Sequence, residues 1–421
     1  MTRRIALVCL VVSMAVITPA CGKDAPSRPQ AESGAELKGD FGGTGPGTLL
    51  DARVLPTIDR RLRAATSTAA RMQYTSTSGI TNAETQVSGT VFAPIGKAPD
   101  GGWPVVALAH ATSGIGNECA PSRSPSLGTL GPVALGLVGA GYVVTIPDYQ
   151  GLGSDSSYHP YLEPTTEGYN LIDAVRATRK LVPEASDRWV AAGFSQGGQA
   201  AWAANELAAT YGKGTTLLGS VSLAPPLDLT FIADAAAAGT LTNDQKSPYQ
   251  ALLASLKNEY PEFNLDDYRR GVVKQNWDSL LRCDDAHADA RAKLLDQITP
   301  DDLRPSSQAA TDTLHGYLQK MSLPQRATSA PMLLVFGDQD QFIPVEATNS
   351  ALAAACRMGD VIDIRMQPGK GHGDLDFGMS LSWLADRFKD LPATNSCKPP
   401  VPEPSSEPEV TSQPDGAGAT Q

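Results

Sequence analysis

The chain is poor in what metal, redox and nucleotide chemistry usually needs. Its 421 residues hold five histidines and six cysteines. His110 has no partner nearby at ligand spacing, so no metal is expected. There is no G-x-G-x-x-G and no P-loop; Gly151-Leu152-Gly153 is too short a pattern to cradle a phosphate. Positive charge is also short, with 34 Lys and Arg against 45 Asp and Glu. The net charge of −11 argues against nucleic acid as a partner and against electrostatic docking on anionic lipid. No internal repeat is visible, and the apolar run at residues 5–17 is too short for a comfortable membrane span.

What is present begins with a targeting segment over residues 1–21. Arg3 and Arg4 precede that apolar run, and Thr18-Pro19-Ala20-Cys21 follows it. The expectation is export, with the chain either released or held on the outer face of the cell membrane. The sharper form is a lipoprotein signal cut before Cys21, whose thiol then carries a diacylglyceryl anchor; Pro19 and Thr18 depart from the usual lipobox. The alternative is ordinary cleavage near Ala20. Cys9 leaves with the leader, so Cys119, Cys283, Cys356 and Cys397 remain, an even number that suggests two disulfides with three pairings open.

Residues 22–47 are Gly, Pro, Ser and charge without periodicity, which predicts a flexible spacer. Residues 398–421 alternate Pro with Glu and Ser and predict a disordered tail. Between them the ordered part opens with paired extended segments at 71–76 and 86–93. Short apolar runs bounded by Gly or Pro then recur at 105–109, 142–146, 189–194, 220–223, 332–336 and 361–366, with helical patterns such as 166–181 between most of them. That alternation predicts an α/β fold with a mostly parallel, doubly wound sheet. It breaks over 230–323, where Ser247-Pro248-Tyr249-Gln250 and Thr299-Pro300-Asp301-Asp302 read as helix starts. This block is expected to be an inserted helical cap or lid, dividing the core into 48–229 and 324–397. Its apolar stripes fit plain packing or a lid gating an apolar site.

The organising stretch is Gly193-Phe194-Ser195-Gln196-Gly197, preceded by an apolar strand and followed by a helix-like run, 199–207. In a G-x-S-x-G turn of this kind the Ser sits in a strained conformation with its hydroxyl proud of the sheet. Side chains at 193 and 197 would collide with the flanking strand and helix. The helix start behind Ser195 offers free N–H groups and a partial positive charge. A chance pentad is the alternative, and the strand and helix on either side argue against it. Ser195 is read as a nucleophile.

A serine nucleophile needs a base and an orienting acid, which in this order follow it. Of the three downstream histidines, His287 and His315 lie in polar helical surroundings. His372 lies in the Gly-rich loop Gly369-Lys370-Gly371-His372-Gly373-Asp374 after a strand, and is the expected base. The acid should follow the 332–336 strand, at Asp338 or Asp340. Asp338 suits a turn-bracing role, and Asp340, pinned by Ile343 and Pro344, is preferred. Asp374 and Asp376 read as caps of the helix 377–388. An oxyanion needs two fixed donors. One is the Gln196 N–H; the other comes from the turn His110-Ala111-Thr112-Ser113-Gly114, with Thr112 preferred over Ser113. His110 is expected to brace that turn. No cofactor is called for.

Taken together, several motifs resemble the secretory lipases of the lipase A type found in yeasts and actinobacteria. They are His110-Ala111-Thr112-Ser113-Gly114 with Cys119-Ala120-Pro121-Ser122, Asp148-Tyr149-Gln150-Gly151-Leu152-Gly153 with His159-Pro160-Tyr161-Leu162, the Ser195 pentad, and the loops at 337–344 and 371–372. The resemblance runs from about residue 50 to 396; Ala111 stands where relatives commonly have Gly. It implies an α/β-hydrolase fold with a helical cap, cleavage of carboxylic esters or lipids, and pairing of Cys119 with Cys283 and of Cys356 with Cys397. The expected activity is that of a serine ester hydrolase working through Ser195, Asp340 and His372 and an acyl-enzyme. A serine peptidase or acyltransferase, or an inactive surface-binding lipoprotein on the same fold, are the competing readings.

Overall fold

A computed structural model describes residues 34–55, 57–154 and 157–397. The leader, Cys21 and the Pro-rich tail lie outside the described residues. Nine strands form one sheet, and in chain order they are β1 (Leu49–Val54), β2 (Thr66–Thr77), β3 (Glu84–Pro94), β4 (Trp103–Ala109), β5 (Val143–Pro147), β6 (Ala185–Phe194), β7 (Thr216–Leu223), β8 (Met332–Gly337) and β9 (Ile362–Gln367). Their spatial order is β1-β2-β3-β5-β4-β6-β7-β8-β9. β1 pairs antiparallel with β2, β2 with β3 and β3 with β5, and every later pairing is parallel.

Strand order reverses around β4. The chain leaves β4 for β5 on one side, then returns across it to β6 on the other. Such a switch point opens a crevice beyond the strand ends. Here the turn after β4, which carries Thr112, and the turn after β6, which carries Ser195, both lie beside it.

Two layers of helix cover the sheet, because these strands are apolar on both faces. Val105, Ala107 and Ala109 of β4 point to one side, Val106 and Leu108 to the other. On the first side pack α3 (Pro164–Leu181), α4 (Gln196–Tyr211) and α12 (Val345–Met358). On the second lie α1 (Arg60–Ala65), α2 (Gly131–Gly139) and α13 (Gly378–Phe388). The Ala-rich face of α4 lets that helix sit close to the central strands: Ala200, Ala201 and Ala204 are fully buried.

Between β7 and β8 stand the other seven described helices: α5 (Phe231–Ala238), α6 (Asn243–Glu259), α7 (Gly271–Gln275), α8 (Trp277–Leu280), α9 (Ala288–Gln297), α10 (Pro300–Leu303) and α11 (Gln308–Met321). They enclose an apolar core of their own around Tyr249, Leu252, Leu253, Leu256, Leu314 and Leu318. The sheet faces bury other residues, so this insertion packs as a separate layer.

Two expectations need correction. Residues 34–47 are not a free spacer over their described length. Leu37 N–H donates to Ala52 O, Asp40 N–H to Lys180 O, and Glu36 bridges to Arg53 along the outer edge of β1. Backbone pairing, which needs no apolar pattern, holds this segment down. The helix read as starting at Ser247 begins one and a half turns earlier: Thr242 caps α6 and forms a capping box with Gln245, and Pro248 lies inside the helix. Pro248, the sixth residue of the helix, forfeits the N–H bond to the Asp244 carbonyl. At the other expected helix start, that of α10, Thr299 N–H and its hydroxyl both donate to Asp302.

Candidate active site

Ser195 has φ 55° and ψ −121°, a conformation that L-residues rarely hold. It is held from both sides: its N–H donates to Leu223 O of β7 (2.8 Å), and its carbonyl accepts Gln199 N–H (3.1 Å). The flanking glycines are steric requirements. A Cβ at 193 would lie 2.2 Å from Gly197 O, and one at 197 would lie 2.1 Å from Ala109 O. The turn therefore closes between β4 and α4 only with hydrogen at both positions.

The structure brings three distant residues into line. Ser195 Oγ is 3.0 Å from His372 Nε2, and His372 Nδ1 is 2.7 Å from Asp340 Oδ2. The other oxygen of Asp340 accepts the N–H groups of Phe342 (2.8 Å) and Ile343 (2.9 Å), which fixes the carboxylate in its loop. With its acceptor sites filled and its side chain 4 % exposed, Asp340 presents one oxygen to the ring. The imidazole is flanked by Phe194 at 5.0 Å and by Phe342 edge-on at 5.1 Å, so its tilt is set by packing as well as by hydrogen bonds.

The loops carrying acid and imidazole are zipped together. Gln339 N–H donates to Lys370 O, and Gly369 N–H donates to Asp338 Oδ1 at 2.7 Å. Asp338 thus braces the neighbouring loop. Asp374 does the same for Gly371 N–H (2.6 Å) instead of capping α13, whereas Asp376 accepts from Gly378 at the head of that helix. His287 Nδ1 is hydrogen-bonded to Asp284 at the surface and His315 lies on α11; neither is hydrogen-bonded to this group.

On the opposite side of Ser195, Gln196 is the first residue of α4 and its N–H has no intrahelical acceptor by position. The turn after β4 puts Thr112 at the surface of the crevice, its hydroxyl 2.8 Å from Tyr161 Oη. His110 is buried, with Nε2 3.1 Å from Asp148 O and its ring against Tyr149. Burial pushes its pKa down, so a neutral ring braces the turn. Beside Thr112 and Ser113 a cavity of about 220 Å³ runs under the insertion, walled by Ile115, Pro248, Ala251 and Leu280 with Arg282 and Arg291 at its edge.

Cys119 is bonded to Cys283, tying the region after the Thr112 turn to the insertion, and Cys356 is bonded to Cys397. Glu118 lies close to the first pair, but both sulfurs are spent in the disulfide and cannot serve as thiolate ligands. The sequence reading singled out neither Glu167 nor Ser255, and quoted His159 and Tyr161 only as part of a resemblance. The structure places His159 and Glu167 against the Gln196 side chain and Ser255 against the 159–162 segment.

Comparison with known proteins gives the chain a family and a fold. The family model described as secretory lipase matches residues 133–396. A secreted triacylglycerol lipase of Malassezia globosa is 25% identical over 384 residues, covering 83% of this chain and 79% of its own. Among solved structures, Candida antarctica lipase A in its closed state superposes with a TM-score of 0.68 at 16% identity, covering 86% of this chain and 87% of that one. The rice cell wall degrading esterase LipA of Xanthomonas oryzae superposes with a TM-score of 0.63 at 22% identity, over 82% and 97%. The latter two likenesses establish the α/β-hydrolase fold. With the family model covering well over half its length, the chain belongs to the secretory lipase family and is a carboxylic ester hydrolase.

Proposed function

We propose that the protein cleaves carboxylic esters through a Ser195–His372–Asp340 triad and an acyl-enzyme. The observation that carries this reading is the alignment of one imidazole between hydroxyl and carboxylate, at 3.0 and 2.7 Å, across 177 residues of sequence. His372 Nε2 takes the Ser195 proton as Oγ attacks the ester carbonyl. Asp340 fixes the tautomer with Nδ1–H and stabilises the imidazolium that forms. The Gln196 and Thr112 amides receive the oxyanion. His372 then protonates the leaving alcohol, and water repeats the sequence on the acyl group. The cavity beside Thr112 and the apolar wall of the insertion support an apolar acyl substrate, with residues 230–323 acting as the cap.

Export is part of the proposal. The basic and apolar leader at 1–21 supports it, as do two disulfides, which persist in oxidising compartments. Cys21 is the proposed lipid attachment point, and mass spectrometry of the mature N-terminus tests it. For the chemistry, the experiment is turnover of nitrophenyl esters from two to sixteen carbons alongside a peptide amide series, with wild type and Ser195→Ala, plus labelling by a fluorophosphonate. The expected result is ester turnover and labelling that both vanish in the variant. Ester turnover retained by Ser195→Ala, or amide cleavage exceeding ester cleavage, refutes the proposal.

A further inference from the structure

The proposed mechanism needs the Thr112 turn and the Gln196 end of α4 in a fixed relation, yet they come from different strands. We infer that the segment His159-Pro160-Tyr161-Leu162 is a positioning strap that holds both halves of the oxyanion site and is itself pinned by Ser255 of the insertion. The inference rests on the reading of Ser195 as nucleophile and of the Thr112 and Gln196 amides as donors.

At the Gln196 end the side chain is fully buried. Its amide nitrogen donates to His159 Nε2 (3.0 Å) and to Glu167 Oε1 (2.7 Å), using both hydrogens. The tautomer that this requires is set from behind. His159 Nδ1 lies 3.0 Å from Gln150 O, which can only accept, so the proton sits on Nδ1 and Nε2 offers a lone pair. Burial lowers the His159 pKa to about 3 and raises that of Glu167 well above the carboxylate range. Burial thus disfavours charge on both ionisable partners of the Gln196 amide. The His159 ring lies parallel to Tyr149, whose hydroxyl donates to His110 O at the base of the Thr112 turn.

Two residues on, Tyr161 is fully buried and its hydroxyl meets Thr112 Oγ1 at 2.8 Å. One short segment thus grips the residue after the nucleophile with one side chain and the facing turn with another. Ser255, on α6, closes the arrangement: its Oγ accepts Tyr161 N–H (2.8 Å) and shares its one proton between His159 O (3.1 Å) and Glu259 Oε1 (2.8 Å). The insertion is thereby hydrogen-bonded to the backbone between the two gripping side chains. An oxyanion donor belongs about 2.7–3.1 Å from the oxyanion, and misplacement by about 1 Å costs roughly 100-fold in rate. A strap that lets either half drift should then lower kcat while leaving substrate affinity alone.

The test uses the full chain with Tyr161→Phe, His159→Leu, His159→Gln, Ser255→Ala and Ser195→Ala. Four quantities are read: kcat, KM, the thermal midpoint, and the Ki of an alkyl boronic acid, which binds as a tetrahedral adduct with an oxygen at the oxyanion position. The expected result is a kcat loss of roughly 10-fold for Tyr161→Phe and Ser255→Ala and roughly 100-fold for His159→Leu. KM should stay within about twofold, and the boronate Ki should rise in step with the fall in kcat/KM. His159→Gln, which keeps an acceptor for the Gln196 amide, should recover most of the loss. If His159→Leu does not fold, Tyr161→Phe, which deletes one oxygen, decides alone. Ester turnover retained by Ser195→Ala would sink the nucleophile reading. An inactive Ser195→Ala beside a Tyr161→Phe with unchanged kcat and boronate Ki would overturn the strap by itself, as would a loss seen only in the thermal midpoint or only in KM.

Discussion

Consider Gly197→Ala, which adds one methyl group between α4 and β4. Its Cβ would lie 2.1 Å from Ala109 O, 2.6 Å from Ala109 C and 2.9 Å from His110 O, all of them backbone atoms. No rotamer change relieves such contacts, and restoring ordinary van der Waals distance needs an opening of about 1 Å. Neither side yields easily. Ala109 is paired in register with Gly193 of β6, and Gly197 sits in the first turn of α4, packed over central strands. The displacement therefore falls on the turn that carries Thr112 and on Gln196, spreading the two proposed oxyanion donors. Overpacking of this kind costs about 1–3 kcal/mol, offset in part by the helix preference for Ala over Gly of about 1 kcal/mol. The rate should suffer more than the stability, with kcat down roughly 100-fold. Gly316→Ala in α11 is the control, since its Cβ meets nothing within 4 Å; it should stabilise by about 0.5–1 kcal/mol and leave kcat unchanged. Ester kinetics and urea unfolding on both variants decide the matter. A Gly197→Ala protein with wild-type kcat would refute the argument that this contact sets the site.

Asp340→Asn keeps an acceptor for the Phe342 and Ile343 amides but turns an N–H towards His372 Nδ1, favouring the wrong tautomer. It should lower kcat by roughly 10³–10⁴-fold with little change in thermal midpoint, and a loss below tenfold would remove Asp340 from the mechanism. Replacing Cys119 and Cys283 by Ser opens a closure over 164 residues, against 41 for Cys356 and Cys397. Chain entropy gives about 5 against about 4 kcal/mol, so calorimetry should find the first pair costlier; the reverse order would show that native contacts outweigh loop length. Burial raises the Glu259 carboxyl from 4.5 to about 7, so the folded chain keeps a proton that the unfolded chain releases. Its contribution is complete below pH 4.5 and declines as pH rises to about 7. Glu259→Gln should reduce the fall in urea midpoint between pH 5 and 8, with Glu167, Glu206, Asp173 and Asp360, also raised by burial, supplying the remainder; an unchanged slope would contradict the assignment. None of the ten residues of α9 is buried, whereas nine of α6 are, so α9 amides should exchange with deuterium well before those of α6. Equal protection would overturn that ranking.

The sequence carries the centre of this fold more clearly than its margins. Steric demand left a pattern at Gly193 and Gly197 because only glycine fits there, and the parallel strands announced themselves as apolar runs because both faces are covered. His372 and Asp340 were legible from their loops, since both follow strands parallel to β6 and so leave the sheet at the same rim as Ser195. The edge was not. Leu49-Leu50-Asp51-Ala52-Arg53-Val54 has only one β-branched residue and one exposed face, and the segment ahead of it is held by main-chain hydrogen bonds, which leave no side-chain signature. Pro248 misled the reading of α6, because proline at the first helical position and proline one turn later look alike without the cap in view. The links from His159, Tyr161 and Ser255 to the site join residues 37 to 96 positions apart, and no local spacing encodes such contacts.

Those distant contacts bear on how the insertion can move. It is attached to the site at three separate places, and each attachment reaches a different element of the chemistry. The Cys119–Cys283 bond holds it beside the Thr112 turn. Ser255 holds it to the 159–162 segment. Thr242 Oγ1 and Gln245 Nε2 donate to Gln341 O and Phe342 O, within the loop that fixes Asp340. A swing of the whole insertion as one body would break the second and third sets together and would still be checked by the covalent bond. Two of these anchors lie on or beside α6, the longest and one of the most buried of its helices, so α6 moves with the core. Any widening of the cavity under the insertion falls most readily to α9, where Arg291 lines the edge and none of the ten residues is buried.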